Sequence, residues 1–277
     1  MKKNTVYKIK ELIFRFMEDD VLALASQLAY SLIFSFFPFL IFIISFIGYS
    51  DVSSSDILTV LSYILPKNVL ELVESTVLRI TVTKNTQLIY LSLIFTIWAS
   101  SGGFHAVIKG LNKAYNQKEH RSIVKIYTVA ILCTLGITII MIITILFLVF
   151  GQMLGSLIAF NLGFSEEFNF IWDILRYVII FVSTVFIFSA VYIYTPSIKL
   201  VWREVIPGAV FSTISIVIIS MIFAFYVNNF ANYSIIYGSI GAAIALLTWL
   251  FILAVIIILG GEVNAVLFKH EKKTNRL

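Results

Sequence analysis

Apolar residues crowd into six long stretches of this chain, at 28–49, 88–106, 126–150, 174–194, 205–227 and 240–259. Each approaches the ~20 residues that carry a helix across a hydrocarbon layer ~30 Å thick. In lipid every backbone N–H and C=O must find a partner within the protein, which a helix supplies along its own length. The pattern therefore predicts an all-α, polytopic integral membrane protein with six transmembrane helices.

The segments between the stretches carry a different rhythm. In 6–20, Val6, Ile9, Ile13, Phe16 and Met17 recur at near-helical spacing among lysines, which reads either as an amphipathic helix on the cytoplasmic surface or as a charged arm that sets topology. In 50–87, Ile57, Leu61, Ile64 and Leu65 precede Pro66, and Val69, Val73, Val77 and Ile80 follow it. Two amphipathic helices on the outer face are implied. The acidic 152–173 segment, with Gly155, Asn161 and Gly163, suits a loop, and the uncharged 228–237 link suits a tight cap between the fifth and sixth spans. No second domain is visible. Residues 1–277 form a single membrane domain with a cytoplasmic amphipathic segment (1–24), extracytoplasmic amphipathic helices (50–87) and a cytoplasmic tail (269–277).

Composition agrees with that solvent. Of 277 residues, 60% are hydrophobic and 13% charged, with a mean hydropathy of +0.99, too little polar surface for a water-soluble globule of this length. The net charge of +5 would suit a nucleic-acid partner if the cations formed a platform, but they gather at the ends of the stretches. Lys2, Lys3, Lys8, Lys10 and Arg15 precede the first stretch, and Lys109, Lys113, Lys118, Arg121 and Lys125 follow the second. Lys199 and Arg203 follow the fourth, and Lys269, Lys272, Lys273 and Arg276 follow the sixth, so that sixteen of the 20 Lys and Arg lie on one side. Basic residues resist translocation, which places that side and both termini in the cytosol. Nucleic acid is excluded as a partner, and membrane lipids are the partner implied. The single cysteine, Cys133, lies within a span and reads as a packing residue. The first stretch is too long for a cleaved signal peptide and reads as an uncleaved anchor.

Polar side chains inside apolar spans face other helices or a wet cavity. Gln27, Ser31 and Ser35 are spaced four apart, with Tyr30 beside them and Pro38 one turn on. They share a helix face that lines a polar cavity or bonds to neighbouring helices. Gly102 and Gly103, after Trp98, allow close packing or a helix break, as do Pro207 and Gly208 in the fifth span, and Gly238 and Gly241 belong to a small-residue seam in the sixth. Glu262 follows the sixth span directly. It is a candidate for proton coupling or for an ion pair with a cation at the cytosolic end, among which Arg203, Lys109 and Lys113 are expected to find at least one acidic partner. His105, His120 and His270 show no ligand spacing, so no metal is expected. No catalytic triad, two-metal carboxylate set or phosphate-binding glycine loop is present either, so neither a catalytic set nor a cofactor is expected.

Several blocks of sequence then carry a resemblance. The run 20–38 (DVLALASQLAYSLIFSFFP), Trp98-Ala99-Ser100-Ser101-Gly102-Gly103 with Leu111-Asn112-Lys113-Ala114-Tyr115, Tyr194-Thr195-Pro196 with Trp202 and Pro207-Gly208-Ala209, Tyr237-Gly238-Ser239-Ile240-Gly241, and Gly261-Glu262-Val263-Asn264-Ala265 resemble the YihY/BrkB family over nearly the whole chain. The resemblance implies a six-helix protein of the bacterial cytoplasmic membrane and associations with serum resistance and envelope lipid traffic. An older ribonuclease label of the family finds no nuclease constellation here, and the family supplies no catalytic set to carry across.

The expected function is therefore transport or export of a lipid or amphiphilic anion. Gln27, Tyr30, Ser31 and Ser35 would line the path, Lys109 or Arg203 would attract the anion, and the glycines and prolines would permit bending. The competing readings are a scaffold that recruits envelope proteins and, more remotely, an intramembrane hydrolase. A homo-oligomer is compatible with each.

Overall fold

The computed structural model of the chain describes residues 2–47, 86–136, 166–229 and 240–274, with scattered positions between 54 and 78 and at 139. Most of the expected 50–87 helices, the rest of the third stretch, the 152–165 loop and Gly238 lie outside the described residues. Among the described residues these helices follow one another: α1 (Lys2–Glu18), α2 (Val21–Ile47), α3 (Thr86–Ala114), α4 (Ile123–Gly136), α5 (Glu166–Tyr194), α6 (Trp202–Asn229) and α7 (Ile240–Thr274). No strand occurs among the described residues.

Five of the helices (α2, α3, α5, α6 and α7) hold segments of 18 to 28 residues that are long and apolar enough to cross a membrane, and α4 is a shorter apolar helix. Their outer faces carry large apolar side chains left exposed, among them Phe34, Trp98, Phe186, Met221 and Phe225. A water-soluble protein rarely leaves so much apolar surface uncovered, whereas acyl chains cover it at no cost. The protein is a multi-pass membrane protein.

α7 is the hub of the bundle and packs against α1, α2, α3 and α6, while α5 packs on α6 and α2 on α3. Small residues set these distances. A Cβ on Gly103 would stand 3.1 Å from the Leu28 and Ser31 side chains, so α3 crosses α2 at this point with almost no intervening side chain. Because α3 is helical from Thr86 to Ala114, Gly102 and Gly103 are packing residues and not a break. One apolar core joins Ala25 and Leu28 of α2, Val107 and Leu111 of α3, Ala209 of α6, and Ala254 and Ile258 of α7. A second, at the opposite end, joins Leu40 and Ile44 to Leu246 and Leu250.

The turns at the end where the basic segments gather are sharply made. Asp20 takes a left-handed φ of 52°, ending α1, and its carbonyl accepts the Leu24 N–H at 3.0 Å to start α2. Short polar side chains tolerate this region better than most residues do. At the end of α3, Asn116 also has φ 52°, Gln117 N donates to Asn112 O at 2.8 Å and Asn116 N to Lys113 O at 2.9 Å. This is the paired-bond arrangement that satisfies the last carbonyls of a helix.

Candidate functional site

At this basic end, charged side chains enter the bundle. Glu11, Arg15 and Asp19 recur every four residues along α1 and its terminal turn, opposite the exposed Ile9, Ile13 and Met17. The hydrophilic face is the one turned inward. Arg15 is buried, and its Nη1 donates to the terminal carbonyl of α3 at Ala114, 2.6 Å away, and to Glu262 Oε2 of α7 at 3.5 Å. Its Nε lies 3.6 Å from Glu11 Oε1. A cation at a helix C-terminus is favoured by the helix dipole as well as by the orphan carbonyl. Glu262 is 1% exposed, and its second oxygen, Oε1, is buried with no hydrogen-bond partner among the described residues.

Neighbouring charges pair off around this centre. Lys113 Nζ donates to Asp20 at 2.7 Å, Lys269 Nζ to Glu11 at 2.8 Å, and His270 Nε2 lies 3.0 Å from the other Glu11 oxygen. Burial raises the Glu11 carboxyl, but the bonds from Lys269 and His270 outweigh that and hold it below the ordinary glutamate value. Together these contacts clasp α1 to α3 and α7.

A second polar layer locks α6 to α7. Asn264 is fully buried; its Oδ1 accepts the Gly208 N–H at 2.6 Å and its Nδ2 donates to Val205 O at 3.0 Å. Gly208 lies so near Gly260 that a Cβ on it would overlap the Gly260 carbonyl and the Asn264 amide. From α5, the Tyr192 hydroxyl donates to Ile257 O at 2.7 Å and lies 2.7 Å from Ser212 Oγ of α6.

A third layer joins the α3–α4 link to the end of α5. Arg121 holds Glu119 with two bonds, Nε to Oε1 at 2.8 Å and Nη2 to Oε2 at 2.6 Å, and also donates to Thr195 O at 2.7 Å. Asn112 completes the layer, donating to Glu119 at 2.8 Å and accepting from Ser197 N at 2.7 Å. The Arg121 guanidinium holds the Glu119 carboxyl down to about 2 from an ordinary value of 4.5, against the opposing effect of burial. A depressed carboxyl stabilises the fold above its ordinary value, and that contribution drains away as pH falls from 4.5 through about 2. With the side chain 24% exposed, screening reduces the effect, and about 1–2 kcal/mol is expected. Glu119→Gln should lower stability by that amount at neutral pH and flatten the acid limb in this window; hydrogen exchange of 112–122 across pH reads both effects.

The residues singled out from the sequence divide. Glu262 joins the clasp, and Lys113 forms the expected pair with an acidic residue, while Lys109 and Arg203 are exposed at the rim. Ser31 Oγ donates to Gln27 O at 3.2 Å and Ser35 Oγ to Leu32 O at 3.0 Å, both within α2 itself. Gln27 is exposed, as is Tyr30 at 63%. Pro38 and Pro207 sit inside α2 and α6, Gly208 makes the α6–α7 crossing, and Gly241 is buried in α7. Sequence reasoning passed over Arg15, Asp19 as a clasp member, Asn112, Glu119, Arg121, Tyr192 and Asn264. For Arg15 a signal existed in the four-residue spacing with Glu11 and Asp19.

A family model described as Virulence factor BrkB matches residues 12–277. The chain is 37% identical over 264 residues to the ribonuclease-like protein YfkH of Bacillus subtilis (strain 168), covering 95% of this chain and 96% of that one. It is also 31% identical over 91 residues to a UPF0761 membrane protein of Vibrio cholerae serotype O1 (strain ATCC 39315 / El Tor Inaba N16961), covering 33% of this chain and 31% of that one. A third, UPF0761 membrane protein PSHAa0171 of Pseudoalteromonas translucida (strain TAC 125), is 27% identical over 111 residues, covering 40% and 36%. No solved structure matches.

Proposed function

This chain belongs to the BrkB family of membrane proteins, and from that premise we propose that it is a non-enzymatic transporter of the bacterial cytoplasmic membrane, moving a lipid or amphiphilic anion. The observation that carries this reading is the buried Arg15–Glu262 ion pair at the end of the apolar bundle. Ionisable side chains at membrane depth are costly and mark ion or substrate paths. On this reading the basic end is cytosolic. The exposed Lys10, Lys109, Lys125 and Arg203 around it attract an anionic headgroup from the inner leaflet.

The exposure of Gln27 and Tyr30 favours a lateral path along the outer face of α2, at the boundary with lipid, over a closed channel. The headgroup then moves past polar side chains while its acyl chains stay in hydrocarbon. In liposomes containing a headgroup-labelled anionic phospholipid, the reconstituted chain should speed leaflet exchange, read by quenching of the outer-leaflet label. Gln27→Leu combined with Glu262→Gln should slow it at least about tenfold, a barrier increase of ~1.4 kcal/mol. Exchange no faster than in protein-free liposomes, or untouched by the double variant, would end the proposal.

The uncovered apolar face of α1, with Ile9, Ile13, Phe14 and Met17 exposed, favours a second reading, a scaffold that recruits another envelope protein. Stoichiometric crosslinks from that face to one partner, with no exchange activity, would select it.

A further inference from the structure

We infer that Asp19 and Glu262 hold one proton between them, so that the junction of α1 with α7 is a proton-binding site. The inference concerns the clasp alone and stands whether or not the chain transports.

Lys113 is taken by Asp20 and Lys269 by Glu11, which among the described residues leaves the Arg15 guanidinium against two buried carboxyls, Asp19 at 8% exposure and Glu262 at 1%. With both ionised, this trio carries a net negative charge away from water, an expensive arrangement. With one proton it is neutral. Geometry leads to the same place. Glu262 Oε2 faces Arg15, Oε1 has no donor among the described residues, and the Asp19 carboxyl is in hydrogen-bonding contact with Glu262. Two carboxylates are acceptors only, and such a contact becomes a hydrogen bond when a proton lies between them.

The other charged or titratable groups facing the pair do not remove the need for the proton. Glu11 and Glu18 on α1 are acids, Tyr115 at the end of α3, which Glu204 of α6 and Tyr192 of α5 face in turn, is a phenol, and Lys113, Lys269 and His270 already face Asp20 or Glu11. Burial also pushes the Asp19 carboxyl up, against the pull of Arg15 and Lys113.

A proton held more tightly with α1 docked than undocked favours docking at low pH. As pH rises above the ordinary carboxyl range the docked state loses stability, until the pair itself has titrated. Deprotonation leaves two carboxylates on one guanidinium and loosens α1 from α3 and α7.

Infrared difference spectroscopy of the full chain in lipid nanodiscs tests this. At neutral pH we expect a protonated-carboxyl C=O band that shifts in protein made with 13C-aspartate or 13C-glutamate and vanishes in both Asp19→Asn and Glu262→Gln. Absence of the band from the unsubstituted protein, or its persistence in both variants, would overturn the proposal. The isotope measurement needs no substitution, so a variant that fails to fold does not remove the test. Spin labels at Lys10→Cys and Lys109→Cys, in a Cys133→Ser background, should show their distance distribution broadening as pH rises. Asp19→Asn, whose amide donates permanently to Glu262, should hold it narrow at every pH; broadening of the Asn variant at the same pH as the parent would count against the shared proton.

Discussion

Arg15→Met should be among the most damaging single substitutions in this chain, costing about 3–5 kcal/mol of stability, because it strands buried carboxyls without their cation. Methionine retains most of the length and apolar volume of the arginine stem, so the loss reports charge and hydrogen bonding more than packing. Three contacts disappear together: the bond to Ala114 O, the ion pair with Glu262 and the proximity to Glu11. Combining Arg15→Met with Glu262→Leu should recover most of the loss, since removing both members of a buried pair is often close to neutral. Lys113→Met breaks a shorter ion pair, 2.7 Å, but one whose side chains are 39% and 69% exposed, and should cost no more than about 1 kcal/mol. Thermal unfolding of the detergent-solubilised protein, run as a double-mutant cycle, distinguishes the cases. Equal small losses for Arg15→Met and Lys113→Met would mean that the clasp is solvated and that α1 lies free of the bundle.

The contrast between these two cations shows what the sequence can and cannot express. Apolar stretches were legible because lipid imposes a length and a composition that few soluble sequences share, and α2, α3, α5, α6 and α7 among the described residues meet that standard. The end of α7 was not legible. The apolar run is broken after Leu259 by Gly260, Gly261, Glu262 and Asn264, yet the helix continues to Thr274, because Gly260 and Gly261 let neighbours approach and Asn264 bonds across to α6 instead of facing water. Periodicity placed Gln27, Ser31 and Ser35 on one face of α2 correctly, but a face has no direction until the neighbouring helices are known. Here Ser35 turns inward to bond its own helix while Gln27 stays exposed. Arg15 was grouped with topology-setting cations, and all such residues look alike by count. Its four-residue spacing from Glu11 and Asp19 was the one feature that separated it from Lys8 and Lys10. The bidentate Glu119–Arg121 pair and its link to Asn112 depend on a turn bringing 112 against 197, a contact across sequence that no local pattern announces.

Gly208→Ala should be nearly as severe as Arg15→Met, through backbone approach rather than charge. The new methyl group would overlap the Gly260 carbonyl and the Asn264 amide. A backbone carbonyl cannot rotate aside as a side-chain end can. α6 and α7 must then separate, which breaks the Gly208 N–H to Asn264 bond and the Asn264 to Val205 O bond and leaves a buried amide unpaired. Overpacking of this kind costs about 1–3 kcal/mol and an unsatisfied buried polar group a similar amount, so about 3–5 kcal/mol in all is expected. Two other glycines calibrate the measurement. A methyl on Gly261 meets the flexible end of Leu111, and one on Gly136 meets nothing within 4 Å. Gly261→Ala should therefore cost only about 1–2 kcal/mol as leucine shifts rotamer. Gly136→Ala should be neutral or gain up to about 1 kcal/mol from helix propensity. Melting temperatures in one detergent should fall in the order Gly136→Ala, Gly261→Ala, Gly208→Ala. If Gly208→Ala melts with Gly136→Ala, α6 and α7 do not cross at Gly208 and Gly260, and Asn264 must find its partners elsewhere.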